Sequence, residues 1–286
     1  MIDLCGERKV IKKLLVALSG TPFTPSAIRH VLEIAKLDKN AIVTGVTLVD
    51  IDRIEDVGMV PLGGGAGAHA LREQRKEQVR RRIEEEIATF ETACKEVGVR
   101  FKVEYEERET FDELCHLWRY HDLTVIGLRG LFDYGVISSP DDMVAELINR
   151  RVRPILAVAE EYRPIRRILM AYNGSMASAK AFKRVIRMNL WPEAQVKLLV
   201  INRDDEAPRL LADAAEYCRV YGYEPETEHA HSESPRDDLL RFAEEWKADL
   251  LVMGTVSKQN FLKKLILGSM TAKALRNATM PLFLTQ

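Results

Sequence analysis

Two glycines with polar and basic neighbours mark the part of the chain best suited to holding an anion. The segment from Met253 to Met270 reads MGTVSKQNFLKKLILGSM, and it ends where a helical pattern, SMTAKALRNA, begins. A glycine at the end of a strand, such as Gly254, lets the backbone approach a ligand closely. The unpaired amides and the dipole at the start of a helix favour a negative charge at Gly268-Ser269. The pattern therefore predicts phosphate binding by this segment.

A plainer interpretation of the same segment stays open. Lys258, Lys263 and Lys264 lie on the predicted connecting loop, where they could reach outer phosphates or simply be solvated. Ser269 could act only as the N-cap of the helix. No carboxylate or histidine in the segment is placed to activate water, so we predict no catalytic residue.

His229 and His231 are the candidates for a metal site. In EHAHSESP the two histidines alternate, so on an extended segment they point to the same side, where Glu228 or Glu233 could join them. Two histidines do not make a zinc site without further ligands. A strand-end loop is therefore the favoured interpretation, and no metal site is predicted.

The composition excludes several classes of protein. The chain has 286 residues, of which 47% are apolar and 30% charged, so it can fill a core. Its formal net charge of −1 gives no general attraction to nucleic acid or acidic membranes, and no apolar run approaches the roughly 20 residues of a membrane span. We expect no nucleic-acid and no membrane partner. The N-terminus lacks a signal-peptide core and the cysteines are scattered, which favours free thiols and a cytoplasmic location; they are Cys5, Cys94, Cys115 and Cys218.

The chain repeats itself. The matching pairs are IKKLLVALSGT at 11–21 with IRRILMAYNGS at 165–175, LTVIG at 123–127 with LLVMG at 250–254, and RPILAV at 153–158 with MPLFLT at 280–285. We predict two copies of one domain, residues 1–160 and 161–286, joined near AEEYRP. Each copy alternates unbroken apolar runs with amphipathic segments, which is typical of a parallel sheet covered by helices on both faces. The prediction is an α/β protein of two tandem, doubly wound, five-stranded parallel-sheet domains.

Copy one carries an insertion around residues 57–90. Its glycine cluster, Gly63 to Gly67, lacks the lysine and hydroxyl pair of a P-loop and is predicted to be a flexible linker. The helical pattern that follows has an apolar stripe at Val79, Ile83, Ile87 and Phe90. Its charged residues, Arg80 to Arg82 and Glu84 to Glu86, are predicted to form a solvated face.

These motifs resemble those of the universal stress proteins in their tandem form, and the resemblance covers nearly the whole chain. Members open with a strand that ends in Asp-Gly-Ser. They close with a strand, Gly-x-x-Gly, nine residues, Gly-Ser or Gly-Thr, a helix and a short strand. In copy two, Asn173 replaces the aspartate, Ser257 replaces the second glycine, and ten residues separate Ser257 from Gly268. The resemblance implies a sheet order of 3-2-1-4-5 in each domain and an adenine-nucleotide site in those members that bind ATP.

The site that the resemblance implies lies in copy two. Its residues would be Ala171, Asn173 and Val200 at the adenine, Met253 and Gly254 at the ribose, and Ser257, Gly268, Ser269 and Met270 at the phosphates. Magnesium would accompany ATP, held largely by phosphate oxygens and water. In copy one, Asp141-Asp142 stands in place of Gly268-Ser269 and Ser19 in place of the aspartate, so no ATP is expected there.

Three functions follow as hypotheses. The leading one is a stress-related regulatory protein that binds ATP in its C-terminal domain with little or no hydrolysis. The alternative is an interaction protein of the same fold that binds no nucleotide, with Asn173 and Ser257 marking a decayed pocket. A slow ATPase is a weaker alternative.

The final strand of each copy needs a partner. In the order 3-2-1-4-5, the apolar runs PILAVA and PLFLTQ are edge strands, and exposed apolar edges aggregate. We predict that residues 153–159 and 280–286 pair antiparallel and form a pseudo-dimer within one chain. Association of two chains into a homodimer stays open.

Overall fold

The structure is a computed structural model that describes residues 11–18, 20–49, 65–107, 116–128, 154–255, 257–258, 266–267, 273–275 and 277–285. The first half contains β1 (Lys13–Ala17), α1 (Thr24–Ala35), β2 (Ile42–Val49), α2 (Gly65–Val97), β3 (Arg100–Glu107), β4 (Leu123–Gly127) and β5 (Ile155–Val158). The second half contains β6 (Arg167–Ala171), α3 (Met176–Met188), β7 (Gln195–Ile201), α4 (Ala207–Val220), β8 (Glu226–Ala230), α5 (Pro235–Glu245), β9 (Leu250–Gly254), β10 (Ser257–Lys258), β11 (Ile266–Leu267) and β12 (Leu282–Thr285).

Ten strands form one sheet in the order β3-β2-β1-β4-β5-β12-β9-β6-β7-β8. Neighbouring strands within each half run parallel. Counted along the chain, each half has the order 3-2-1-4-5, which confirms the predicted fold. The order reverses between β1 and β4 in the first half and between β6 and β9 in the second. In doubly wound sheets ligands bind beyond the carboxyl ends of the strands at such reversals.

Strands β5 and β12 join the two halves. They pair antiparallel, with Leu282 opposite Ala157, Phe283 opposite Leu156, and Leu284 opposite Ile155. Every residue of both strands is buried. The predicted antiparallel pairing of the two final strands is therefore confirmed, and each strand covers the edge that the other would expose.

The central strands of the sheet are apolar and buried on both faces, whereas the edge strands β3 and β8 carry charged residues and are only partly buried. In β1, Leu15 and Ala17 pack into one apolar cluster, whereas Leu14 and Val16 pack into the other. Successive side chains of a strand point to opposite faces, so each face has a core of its own. This explains why the central strands read as unbroken apolar runs and not as alternating ones.

An aspartate fixes the start of the first strand in each half. The carboxylate of Asp122 accepts hydrogen bonds from the backbone amides of Lys12 and Lys13 at 3.0 and 2.9 Å. The carboxylate of Asp249 does the same for Arg166 and Arg167, at 3.0 and 2.9 Å. Asp122 and Asp249 directly precede β4 and β9, so one device ties the fourth strand to the first in both halves. The repeat in the sequence is thus a repeat in hydrogen bonding as well.

The insertion forms a 33-residue helix, α2, that begins at Gly65. The prediction of a flexible linker from Gly63 to Gly67 is therefore wrong from Gly65 onward; Gly63 and Gly64 lie outside the described residues. The predicted apolar stripe is confirmed, since Ile83 and Phe90 are buried and the half-buried Val79 and Ile87 pack against the core.

The charged face of α2 is only partly solvated as predicted. Arg80 pairs with Glu84 and Arg81 with Glu77, both at 3.1 Å on the surface. Arg82 and Glu86 instead reach the loop after β1. The guanidinium of Arg82 donates to the carbonyl oxygen of Gly20 at 2.9 Å, and the carboxylate of Glu86 accepts from the amide of Gly20 at 2.8 Å.

The two buried cysteines among the described residues agree with the predicted free thiols. Cys94 and Cys218 are both free, and burial raises their pKa values to about 12 and about 11. A thiol with so high a pKa is a poor nucleophile at neutral pH. Among the described residues, no helix is both long and apolar enough to span a membrane.

The connection between the halves is held against α1 by a buried histidine. The ring of Tyr162 lies 4.8 Å from that of His30, and the guanidinium of Arg29 stacks over Tyr162 at 4.4 Å. Burial, reinforced by the charge of Arg29, lowers the pKa of His30 to about 4. His30 is therefore neutral in the folded chain at neutral pH.

Acid is expected to destabilise the protein through His30. Between pH 6.5 and about 4 the unfolded chain binds this proton and the folded chain does not, so stability falls as the pH falls. The free energy of unfolding in urea should drop by about 2 kcal/mol between pH 7 and pH 5 because of this group. In His30→Phe, which keeps a ring beside Tyr162, that part of the drop should vanish. An equal pH slope in both proteins would contradict the assignment.

Candidate functional site

The carboxyl ends of β6 and β9 meet where the strand order of the second half reverses. The two strands are parallel neighbours, with Met170 opposite Val252. Gly254 ends β9 and lies against the first turn of α3. A Cβ atom at position 254 would lie 2.5 Å from the nitrogen of Ser178 and 2.6 Å from the carbonyl oxygen of Ala177, so only glycine fits. Glycine at this position is thus required by the close approach of the protein's own helix α3, and the predicted approach to a ligand stays a prediction.

Asn173 organises the loop between β6 and α3. Its side-chain oxygen accepts hydrogen bonds from the hydroxyl of Ser178 at 2.8 Å and from the amide of Ser175 at 3.1 Å. Ser175 is the N-cap of α3 and accepts from the amide of Ser178 at 3.2 Å. An aspartate would accept the same two bonds, so asparagine keeps this structural role. Asn173 is also exposed, so it lies at the surface of the candidate site.

The other residues predicted at the base and ribose lie at different depths. Ala171 and Gly254 are half-buried, whereas Val200 and Met253 are 0% and 2% exposed. Val200 and Met253 are therefore the buried residues of the candidate site. Its solvent-accessible rim consists of Ala171, Asn173 and Gly254. Tyr172 packs edge-on against Phe182 with the ring centres 5.1 Å apart, in line with the structural role that its position suggests.

The segment after β9 is more regular than predicted. Ser257 pairs with Leu267 and Lys258 with Ile266, which makes β10 and β11 a short antiparallel ladder. Lys258 is therefore on a strand and not on an open loop, a feature that the sequence reasoning missed. Five other residues predicted near the phosphates lie outside the described residues: Lys263, Lys264, Gly268, Ser269 and Met270.

His229 and His231 meet a third metal-binding group beside the site. The Nε2 atom of His229 lies 3.3 Å from the Oδ1 atom of Asp204, and the Nδ1 atom of His231 lies 3.2 Å from the same oxygen. The two rings are 4.6 Å apart, which confirms that they share a side. The third group is not Glu228, whose carboxylate pairs with Lys197 at 2.9 Å. Asp204 could not be found from the sequence because it lies in another loop, after β7.

Comparison with known proteins decides the family. The sequence model of the universal stress protein family matches residues 164–286. A universal stress protein of Synechocystis sp. is 23% identical over 291 residues, which span 95% of this chain and 98% of that protein. Residues 164–286 belong to the universal stress protein family. A shorter match, 38% identical over 52 residues, covers 18% of this chain and 30% of a universal stress protein of Methanocaldococcus jannaschii.

Solved structures share the fold across both halves. A universal stress protein of Archaeoglobus fulgidus is 14% identical and aligns with a TM-score of 0.66, over 96% of this chain and 98% of that one. A functionally unknown protein of Pseudomonas aeruginosa PAO1 is 16% identical and aligns with a TM-score of 0.55, over 96% and 92%. At these identities the likeness concerns the fold alone.

The two halves of the chain differ in the contacts of the loop that follows their first strand. In the second half the loop folds back on α3 through Asn173 and leaves Asn173 exposed. In the first half Gly20, the counterpart of Gly174, donates its amide to Glu86 and accepts at its carbonyl oxygen from Arg82. The inserted helix therefore contacts the place where the first half would have its own site. Ser19, Asp141 and Asp142 lie outside the described residues.

Proposed function

We propose that the C-terminal half of this universal stress protein binds ATP, or a related adenine nucleotide, and serves a stress-related regulatory role. The observation that carries the proposal is the contact of Gly254 with the first turn of α3. It brings the accessible residues Ala171, Asn173 and Gly254 to one place, at the reversal of strand order where doubly wound sheets bind ligands. The buried Val200 and Met253 lie beneath them.

The chemistry of the rim suits a polar ligand with a sugar. An asparagine offers N–H donors that an aspartate lacks, while its oxygen stays committed to α3. Backbone groups at strand ends and at Gly254 are close enough to the surface to bond hydroxyl groups. The phosphates would lie over Ser257 and the Gly268-Ser269 step, where the sequence provides a helix start and three lysines.

The first half is proposed to bind no nucleotide. Arg82 and Glu86 already bond both backbone groups of Gly20, so these bonds would have to break before a ligand could use those groups. Asp141 and Asp142 replace Gly268 and Ser269 in the sequence, and their carboxylates would repel a phosphate. The two halves would then divide their roles, with one holding nucleotide and the other supporting it through the β5–β12 pairing.

Turnover is proposed to be little or none. Residues 171–175 and 250–255, which are all described, contain no carboxylate and no imidazole that could activate water. Magnesium would be held largely by the phosphates and water, and so would assist binding more than catalysis.

Titration calorimetry of the full chain with magnesium and ATP tests the proposal. Gly268→Asp, which copies the first half's Asp141, should weaken binding at least a hundredfold because a carboxylate would face the phosphates. The paired control, Asp141→Gly with Asp142→Ser, should leave the affinity nearly unchanged. Phosphate release should stay far below the roughly 10 per second of a median enzyme.

Two results would argue against this function. Absence of binding to the unmodified chain would favour the alternative, an interaction protein of the same fold. Rapid metal-dependent phosphate release would show instead that the protein is an ATPase.

A further inference from the structure

Three side chains from two strand-end loops converge on one point at the carboxyl edge of β7 and β8. They are Asp204, in the loop after β7, and His229 and His231, at the end of β8 and just beyond it. One metal-binding atom from each lies within 4.8 Å of the other two. We propose that Asp204, His229 and His231 bind one zinc ion.

The distances between the donor atoms fit tetrahedral zinc. Ligands about 2.0–2.1 Å from zinc and at the tetrahedral angle lie about 3.3 Å from each other. The Oδ1 atom of Asp204 is 3.3 Å from the Nε2 atom of His229 and 3.2 Å from the Nδ1 atom of His231. Two of the three edges of the ligand triangle therefore already have the length that zinc requires. The third edge, between the Nε2 atom of His229 and the Nδ1 atom of His231, reaches this length by small rotations of the imidazole rings.

The loops that carry the ligands are fastened to each other. The side chain of Asn202 accepts from the amide of Ser232 at 2.9 Å and donates to its carbonyl oxygen at 2.8 Å. The amide of Asn202 also donates to the carbonyl oxygen of Ala230 at 2.8 Å. These bonds fix the position of residue 204 relative to residues 229 and 231. A site whose ligands are held in advance loses less freedom on binding.

The chain between β7 and Asp204 is bent in an unusual way. Asn202 and Arg203 have φ angles of 59° and 62°, the left-handed region that residues other than glycine rarely adopt. The guanidinium of Arg203 donates a hydrogen bond to the carboxylate of Glu206 at 2.9 Å, so Arg203 pairs with Glu206 and not with Asp204. The bend therefore turns the carboxylate towards the histidines without bringing a cation with it.

The donor set selects zinc over the harder divalent cations. Two imidazole nitrogens and one carboxylate oxygen suit zinc, whereas magnesium and calcium prefer oxygen alone. With three protein ligands, a water molecule would supply the fourth. The side chains of Asp204 and His231 are 66% and 68% exposed, so an ion and its remaining water can enter.

The proposed zinc site shares no residue with the proposed nucleotide site, although His229 lies opposite Val200 in the register of β7 and β8. Zinc binding can therefore be measured without nucleotide, and a chain that binds no ATP would still be expected to bind zinc.

Titration of the full, untagged chain with zinc chloride tests the proposal. We expect one equivalent to bind with a micromolar or smaller dissociation constant. His229→Ala, His231→Ala and Asp204→Asn should each weaken this binding at least tenfold. The matched control is His69→Ala, which removes an exposed imidazole from α2 and should leave the affinity unchanged. Magnesium chloride at a hundredfold excess should not displace the zinc.

Two outcomes of this titration would overturn the proposed zinc site. If the unmodified chain binds zinc no better than the three variants, the three side chains form only hydrogen-bonded ion pairs. If His69→Ala weakens binding as much as they do, the zinc lies elsewhere. Thermal unfolding of each variant without metal verifies its fold, and a zinc-induced rise in the midpoint should occur in the unmodified chain and in His69→Ala alone.

Discussion

Phe283→Lys is expected to lower the free energy of unfolding by about 5 kcal/mol. Phe283 is 0% exposed and lies in the middle of β12, between Leu156 of β5 and Val252 of β9. The lysine would lose the packing of the aromatic ring and would place a charge in the apolar core that joins the halves. Among the described residues of β5 and β12 no acidic side chain is present to pair with it.

Two variants distinguish burial of the charge from other effects. Phe283→Leu keeps the position apolar and should cost only about 1–2 kcal/mol. Val220→Lys introduces the same charge at a residue that is 76% exposed, at the end of α4, and should be close to neutral. Urea unfolding monitored by far-UV circular dichroism measures all three. If Phe283→Lys were as stable as Val220→Lys, the two final strands would not meet in a buried seam.

The fold was predictable because its main signals are local or repeated. Unbroken apolar runs such as those of β4 and β9 identify buried parallel strands, whose ladders leave both faces covered. The repeat then gives two domains, and the need to cover apolar edge strands leads to the pairing of β5 with β12. Each step uses residues that are close in sequence or match at fixed offsets.

The wrong predictions, of a linker at Gly65–Gly67 and of a fully solvated charged face on α2, concern features that the local sequence does not mark. Gly65 and Gly67 begin a helix although glycine disfavours one, and both are exposed, whereas the apolar stripe that packs against the core starts only at Val79. Arg82 and Glu86 looked solvated, but they bond Gly20, a residue more than 60 positions away. Side-chain charge predicts exposure on average and does not reveal such a distant partner.

The candidate site was predictable in part. Its place at the ends of β6 and β9 follows from the fold, and the strand-end glycine was recognised as important. What Gly254 contacts was not predictable, because no residue pattern marks the packing of the first turn of α3 against the end of β9. Asp204 was missed for a similar reason, since the parallel order of β7 and β8 brings together loops that the chain separates.

Gly254→Ala is expected to destabilise the protein by about 3 kcal/mol and to weaken nucleotide binding. The added methyl group would lie 2.5 Å from the nitrogen of Ser178 and 2.6 Å from the oxygen of Ala177, and would also meet the carbonyl carbon of Ala177. These are backbone atoms, so no side chain can rotate to make room. Helix α3 or strand β9 must move. Either shift would separate Gly254 from Asn173, which the proposed function requires to lie together.

Matched substitutions show whether the backbone contact is the cause. Gly67→Ala makes the same change in α2, where no atom lies within 4 Å of the added methyl group, and should stabilise the chain by up to about 1 kcal/mol. Ala177→Gly should not rescue Gly254→Ala, because the contacts at 177 are with main-chain atoms. Urea unfolding gives the stabilities and calorimetry the ATP affinity. A stable Gly254→Ala chain with unchanged affinity would mean that α3 does not pack against the end of β9, and the site built on that contact would have to be abandoned.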